Sequence, residues 1–483
     1  MSPQSFPQEK KVLALALLAL AQFVVVLDAS IVNVALPSIG KDLDFAQDDL
    51  SWVVNAYTLF FGGFLLLGGR MADLLGRRRL FIGGLVLFAV ASLAGGLATS
   101  PGMLIAARAV QGLGAALLSP AALSLVTVIF KEGAERNKAM GVWGAVAGSG
   151  GAAGVLLGGV LTEYAGWEWV LFVNTPIGIA AAFLAPRLLP ESKNEGTRNF
   201  DVAGAVTVTA GLTLLVYTLV DANDAGWLSG QTLGLGAIAL AFIGAFIGIE
   251  TRSKAPLVPF SFFRRRTITG TNVVALLVAM ALFSMFFFVS LYMQLVLGYD
   301  ALEAGLAYLP LAVGIIVSAG LASGLVTRFG FKPILTAGGL IWFSQVSVDG
   351  KYVADILPAS LLAAVGLGFA FVPMTIGAVS GVAPHEAGLA SGLINTSQQV
   401  GGALGLAILA SIANSKTDSL MQAAGGDPAA LPNALTQGFQ IAFLVGAGFA
   451  VLGAVLSMTL ISSRESRAHA EAAQAGEVAP AVV

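Results

Sequence analysis

The sequence predicts an all-α integral membrane protein of fourteen transmembrane helices, arranged as two six-helix bundles with two extra central helices. Three observations carry that expectation: a charge-poor composition, a succession of long apolar segments, and a repeat relating the start of the chain to its end. Of 483 residues, 57% are hydrophobic and only 11% are charged, and the mean hydropathy is +0.86. A soluble domain carries about 25% charged residues, so the expected solvent is a bilayer. The net charge of −2 gives no reason to expect a nucleic-acid partner. There is no cysteine, which excludes disulfides and thiolate metal sites, and the only histidines, His385 and His469, lie far apart. Neither a metal nor a cofactor is expected.

Apolar segments of spanning length, roughly 17–25 residues, begin near residues 12, 52, 80, 103, 139, 168, 202, 231, 271, 303, 331, 354, 389 and 437. The first is read as a retained helix: it is too long for a secretory leader, and no A-x-A-like site follows its apolar core. An even number of spans places both termini on one side. If that side is the cytoplasm, its loops and tails hold 21 of the 25 basic residues, and the opposite loops hold only Lys41, Lys351 and Lys416. Such asymmetry sets orientation. The remaining one, Arg108, falls inside a span. The opposite-side segment 414–436 reads as the longest loop, and the Ala-rich tail as disordered.

Two stretches recur at nearly constant separation. "GLG" at 112–114 returns at 366–368, and "ERNKAMGVWGAVAGSGGAAG" (135–154) aligns with "EAGLASGLINTSQQVGGALG" (386–405), preserving Gly141/Gly392, Gly151/Gly402 and Gly154/Gly405. A weaker echo keeps Gly76/Gly330. The repeat maps the first six spans onto the last six. Expected boundaries are 1–190 for the first bundle, 191–266 for the central pair with its linkers, 267–463 for the second bundle and 464–483 for the tail.

The motifs resemble the fourteen-span drug:proton antiporters of the major facilitator superfamily. "LDASIVNVALP" (27–37) is similar to that group's first-helix signature, and "GRMADLLGRRR" (69–79) to its loop motif G-x-x-x-D-x-x-G-R-[RK]-x. "LIAARAVQGLGAA" (104–116) matches the fourth-helix motif, and "QLVLGYDALEAGLAYLP" and "ASGLINTSQQVGGALG" resemble late segments. One departure stands out. The fifth-helix motif usually ends G-P-x-x-G-G, and here "GVLLGG" (154–159) has Val155 in place of proline. The resemblance implies the major facilitator fold, related halves around a midplane site, and multi-pass residence in a bacterial plasma membrane with cytoplasmic termini.

Asp28 is the one acid deep in any span. It lies about 25 Å of helix rise from Lys11 and about 20 Å from Lys41. A charge at such depth costs roughly 2.5–3.5 kcal/mol on insertion scales, so it must be protonated, paired or facing a cavity. Arg108 lies about 10 Å of rise inside Pro101, which makes contact with Asp28 possible. The pair is expected either to carry a coupling proton, since burial favours the neutral acid and a guanidinium the charged one, or to pin two helices statically. Gly69, Asp73, Gly76, Arg77 and Arg78 form the candidate cytoplasmic gate. There Asp73 and Arg77 pair four apart on a short helix, or Asp73 sits at a helix N-terminus; topology setting alone is the bland alternative.

Gly150, Gly154, Gly158 and Gly159, with Gly401, Gly402 and Gly405, suggest two small-residue helices facing each other across the interface of the halves. Asn33, Asn55, Tyr57, Gln111, Asn395, Gln398 and Gln399 are candidates to line a substrate cavity, or else interhelical glue. With so few buried acids, the expected substrate is apolar and neutral or weakly cationic.

The leading expectation is a monomeric, proton-coupled exporter of hydrophobic drugs or antibiotics working by alternating access. Alternatives are a dedicated exporter of an endogenous metabolite (amino acid, lipid or self-made antibiotic) and a non-transporting receptor or scaffold. An enzyme is not expected: "GSGGAAG" lies within a span and lacks the Lys-Ser/Thr of a phosphate loop.

Overall fold

The computed structural model describes residues 8–46, 49–130, 134–192, 201–253, 256–258, 260–329, 350–379 and 387–461. The span expected near 331, the tail 464–483, His385 and His469 lie outside them. Every other expected span coincides with a described helix. These are α1 (Gln8–Asp42), α2 (Trp52–Leu75), α3 (Arg77–Gly96), α4 (Pro101–Ile129), α5 (Ala134–Ala165), the short α6 (Trp169–Phe172) running into α7 (Asn174–Leu188), α8 (Val202–Ala225) and α9 (Gly230–Glu250). Then follow α10 (Arg266–Leu291), the short α11 (Ala301–Ala307), α12 (Leu309–Phe329), α13 (Leu357–Val379), α14 (Ala387–Ala423) and α15 (Leu431–Leu460). Ten described helices are long and apolar enough to cross a membrane. This is a multi-pass membrane architecture. The face from which α1 starts is called the near face below, and its opposite the far face.

Helix starts follow local chemistry. Ser100 accepts from the Met103 N–H ahead of Pro101, where the missing N–H of proline costs nothing. Ser229 caps α9 through Thr232, and Asp300 with Glu303 forms a reciprocal capping box on α11. Segment 414–436 is not the long loop expected. Its first ten residues extend α14 to Ala423, and Gly425 (φ +65°) and Gly426 (φ +78°) end it in the left-handed region. Leu, Met, Gln and Ala there are helix formers, and Thr417 packs against Gly438 of α15.

Packing repeats along the chain: α5 lies on α1 as α14 lies on α10, and α2 lies on α4 as α12 lies on α13. The glycine stripes account for the first correspondence and correct the interface expectation. Gly150 faces Phe23 and Val26, Gly154 faces Leu27 and Ser30, and Gly158 faces Ile31, all on α1. Gly401, Gly402 and Gly405 face Leu276, Phe283 and Met280 on α10. The stripes therefore seat each helix on its own group and do not meet one another. Small residues are used up where backbones approach most closely, and that is within each group. Of these seven glycines, Gly159 alone looks across, at Ala301 and Leu302 of α11.

The two groups share one apolar core in the far half. Ile31, Val32 and Leu36 of α1 belong to the same cluster as Phe287, Phe288 and Tyr292. Ser290 donates to the Asn33 carbonyl at 2.7 Å and Gln294 to that of Val34 at 2.9 Å. The central pair α8–α9 joins through Leu212, Val216 and Val220, which cluster with Trp52 and Leu59 of α2 and Ala403 and Ala407 of α14. Among the described spans α9 is the most peripheral, with Leu233, Leu240 and Phe242 exposed.

The adjacent glycines Gly83 and Gly84 test this packing. A Cβ on Gly83 would meet nothing within 4 Å, whereas one on Gly84 would lie 2.8 Å from the Leu118 backbone of α4. Gly84→Ala is expected to destabilise by about 1–3 kcal/mol through overpacking. Gly83→Ala should stabilise by up to about 1 kcal/mol through helix propensity. Thermal unfolding in detergent reads both signs.

Candidate functional site

Asp28 sits mid-way along α1 with no solvent exposure, and Arg108 in the first turns of α4 is 1% exposed. Arg108 Nη1 donates to Asp28 Oδ2 at 2.7 Å. The other carboxylate oxygen, Oδ1, accepts Nε2–H of Gln111 and Nδ2–H of Asn174, each at 2.8 Å. Gln111 lies three residues after Arg108, on the same helix face, and its Oε1 accepts a second bond from Arg108 Nη1 at 2.7 Å. Ser92 Oγ on α3 accepts from both amides at 3.1 Å and donates to the Leu171 carbonyl at 2.8 Å. The guanidinium is further held by Nε donating to the Val53 carbonyl at 3.0 Å, and it stands 4.4 Å over the Tyr57 ring.

A buried ion pair recovers its desolvation cost only when its remaining lone pairs and protons are also bonded. Here both carboxylate oxygens have donors, and the guanidinium has anion, carbonyl, amide and ring. Chemically the cluster is a buried carboxylate with a fixed counter-charge. A proton on Asp28 would cancel the negative charge facing Arg108, and its loss would restore the pair.

The expected contact between Asp28 and Arg108 is therefore present. Of the cavity candidates, Gln111 and Tyr57 are taken up by the cluster, and Tyr57 Oη also donates to the Val25 carbonyl at 3.4 Å. Asn33 donates to Ala29 within its own helix at 3.1 Å. Asn55 is fully buried with neither amide atom bonded. It shares a face of α2 with Gly62 and Leu66, which meet Gln399 and Gly392 of α14. On α14, Thr396 Oγ1 and Gln399 Oε1 also lack partners, Gln398 is half-buried and Asn395 is exposed. A separate apolar cavity of about 70 Å³ lies between α10, α13, α14 and α15, lined by Met285, Phe288, Leu409 and Phe443 with Ser284 its one polar lining side chain. It is far smaller than the roughly 300–1,000 Å³ of drug-sized clefts.

The near-face motif differs from expectation. There is no short helix: residues 69–75 are the last turns of α2, and Gly76 (φ +119°) breaks the chain before α3. Asp73 is thus at a helix C-terminal end, not an N-terminal one, and shares no continuous helix with Arg77; its side chain lies outside the described residues. Instead the start of α3 docks on Glu191 and Ser192. Arg77 Nη1 donates to Ser192 Oγ at 2.7 Å, the Arg78 N–H to Glu191 Oε1 at 3.2 Å, and Arg78 and Arg79 each approach Glu191 Oε2 at 3.7 Å. A Cβ on Gly76 would lie 2.8 Å from Glu191. Gly69 packs on Pro120 of α4.

Sequence reasoning missed Ser92, Asn174, the Val53 carbonyl and Glu191. Glu191 carried a usable signal, as an acid in a loop on the same face as an Arg triplet, and Asn174 a weak one as a lone amide at a span start. Ser92 carried none.

Comparison with known proteins agrees with this architecture. The sequence profile described as Major Facilitator Superfamily matches residues 18–406. The chain is 39% identical over 472 residues to a puromycin resistance protein of Streptomyces alboniger, covering 96% of this chain and 93% of that one. It is 44% identical over 420 residues to a cephamycin export protein of Amycolatopsis lactamdurans, covering 84% and 85%. A tetracenomycin C resistance and export protein of Streptomyces glaucescens is 34% identical over 475 residues, covering 96% and 82%. In fold, a bacterial homologue of the human lysosomal transporter Spinster superposes with a TM-score of 0.67 at 16% identity, over 96% of this chain and 99% of that one.

Removing one member of the pair leaves the other charged and buried, at a cost of about 3–5 kcal/mol. Arg108→Gln and Asp28→Asn are each expected to show that loss in thermal unfolding. The double substitution, which leaves two neutral amides, should recover most of it in a double-mutant cycle.

Proposed function

The chain belongs to the Major Facilitator Superfamily, and on that premise we propose that it is a proton-coupled exporter of small apolar antibiotics or drugs. Efflux transport is supported by relatives named as export proteins and by one named for puromycin resistance. The buried Asp28 cluster carries the coupling step. A carboxylate bonded by three side chains from two other helices is an energetic hub, so its protonation redistributes bonds among α1, α4 and α7. Protonated Asp28 releases Arg108; deprotonation draws the guanidinium back. Because Asp28 has no solvent exposure here, the cycle requires a second arrangement in which water reaches it.

Alternating access supplies that arrangement. The far half is closed by Ser290 and Gln294 bonded to α1 and by Gly159 against Ala301. In the α2–α14 seam, by contrast, Asn55, Thr396 and Gln399 have unbonded polar atoms. An unbonded buried polar group costs about 1–3 kcal/mol. The seam therefore gains by opening to water or to substrate polar groups, which is the role proposed for Asn55, Gln398 and Asn395. Residues 1–190 and 267–463 act as the rocking bundles with 191–266 as a lateral pair. The basic loops of the near face support a cytoplasmic location for it in a bacterial cell. There Gly69, Asp73, Gly76, Arg77 and Arg78 form the gate, latched by Glu191. A narrower reading, export of one self-made antibiotic, is favoured by relatives named for single compounds.

Purified protein in liposomes with an imposed pH gradient tests coupling. Wild type should accumulate a neutral apolar antibiotic in step with the gradient, and Asp28→Asn should lose that dependence. Accumulation by the variant that still follows the gradient would remove Asp28 from coupling. A panel of antibiotics and dyes decides the breadth, with a dicationic dye expected to move far more slowly than neutral compounds.

A further inference from the structure

α1 runs unbroken from Gln8 to Asp42 although Pro37 stands inside it. Proline has no N–H, so the carbonyl four residues back, that of Asn33, loses its helical donor. In a bilayer such a freed carbonyl must find another partner, and a hydroxyl from a neighbouring helix is a usual one. Here the donor comes from the other group of helices. Ser290 Oγ on α10, fully buried, donates to the Asn33 carbonyl at 2.7 Å. Gln294, one turn further on, donates through Nε2 to the adjacent Val34 carbonyl at 2.9 Å and to Ser290 Oγ at 3.1 Å. It lies within a turn of π-helix, Tyr292–Val296, closed by the Leu297 N–H on the Tyr292 carbonyl at 3.1 Å. Wide turns of this kind recur at functional sites.

A carbonyl bonded within its own helix keeps its partner however the groups move. The Asn33 carbonyl keeps its partner only while α1 and α10 stay together, and on separation it must exchange the Ser290 hydroxyl for water. That exchange replaces one hydrogen bond by another, so its net cost is small, as a contact that breaks and re-forms in each cycle requires. The same carbonyl lies five residues beyond Asp28, about 7.5 Å of helix rise. A displacement of α1 at the Asp28 cluster is therefore delivered to it.

We propose that Pro37, Ser290 and Gln294 are positioning residues of a reversible latch that holds the far side shut, with the orphaned Asn33 carbonyl as its acceptor. Pro37 keeps α1 from supplying a donor of its own, Ser290 supplies one from α10, and Gln294 holds the Ser290 hydroxyl while bonding the next carbonyl of α1. The latch rests on the alternating-access reading above and names the contact that must break when the far side opens.

The chain has no cysteine, so spin labels on Lys41→Cys and Gln422→Cys, at exposed far-face positions of α1 and α14, report far-side opening without substrate or pH gradient. Ser290→Ala should raise the ratio of long to short label distances about fivefold, the weight of one hydrogen bond. Gln294→Ala, at a half-buried position, should raise it as well. Pro37→Ala gives the Asn33 carbonyl a helical donor, so adding Ser290→Ala to it should change the ratio less than about twofold, a non-additivity that mere loss of packing would not produce. Two populations in wild type with a ratio that Ser290→Ala or Gln294→Ala leaves unchanged overturn the latch alone. So does a Ser290→Ala effect of equal size with and without Pro37→Ala. One population in every protein overturns the latch together with alternating access.

Discussion

A carboxylate and a guanidinium 2.7 Å apart, sealed from water inside an apolar assembly, set the terms for the first group of helices. Neither charge is tolerable there alone. Each must keep its partner, and each also recruits neutral dipoles to saturate the rest of its bonding capacity. Gln111, Asn174, Ser92 and the Val53 carbonyl are consequences of that demand. Together they tie α1, α2, α3, α4 and α7 through a polar knot where hydrophobic contact offers little selectivity between helices. The close glycine contacts around the knot, such as Gly84 against Leu118 and Gly114 against Phe88, let α3 and α4 come near enough for its short bonds.

Polar groups elsewhere obey a different economy. Inside the first group nearly every member of the Asp28 cluster is bonded, whereas the α2–α14 seam leaves Asn55, Thr396 and Gln399 short of partners. A saturated network holds one arrangement; an unsaturated seam is stabilised by any change that brings it water or a ligand. The glycine stripes fit the same division, since they glue α5 to α1 and α14 to α10 and leave the contact between groups to fewer points. Well-bonded groups with a less satisfied joint suit the alternating access proposed above.

At the near face, acids do the organising. Glu191 gathers the start of α3, and Glu250 gathers the linker into α10. In both cases a carboxylate accepts backbone N–H groups that have no helical partner of their own. The central helix pair is thereby more than a spacer: its last residue holds the chain that joins the two groups.

Sequence alone determined the bilayer solvent, the position of the spans, the internal repeat and the singularity of Asp28. Those follow from transfer free energies and chain periodicity, which are local properties. It also carried the Asp28–Arg108 contact, because depth along two helices can be counted at a fixed rise per residue. Which helix a glycine stripe faces could not be counted, and the stripes proved to serve α1 and α10. The break at Gly76, the docking of the Arg triplet on Glu191, and the helical extension through 414–423 were likewise decided in three dimensions. So was the meeting of Ser290 with the Asn33 carbonyl, 257 positions apart in the chain. Rotation of a helix about its axis and the pairing of distant polar atoms depend on which neighbours arrive, and only the assembled fold supplies those.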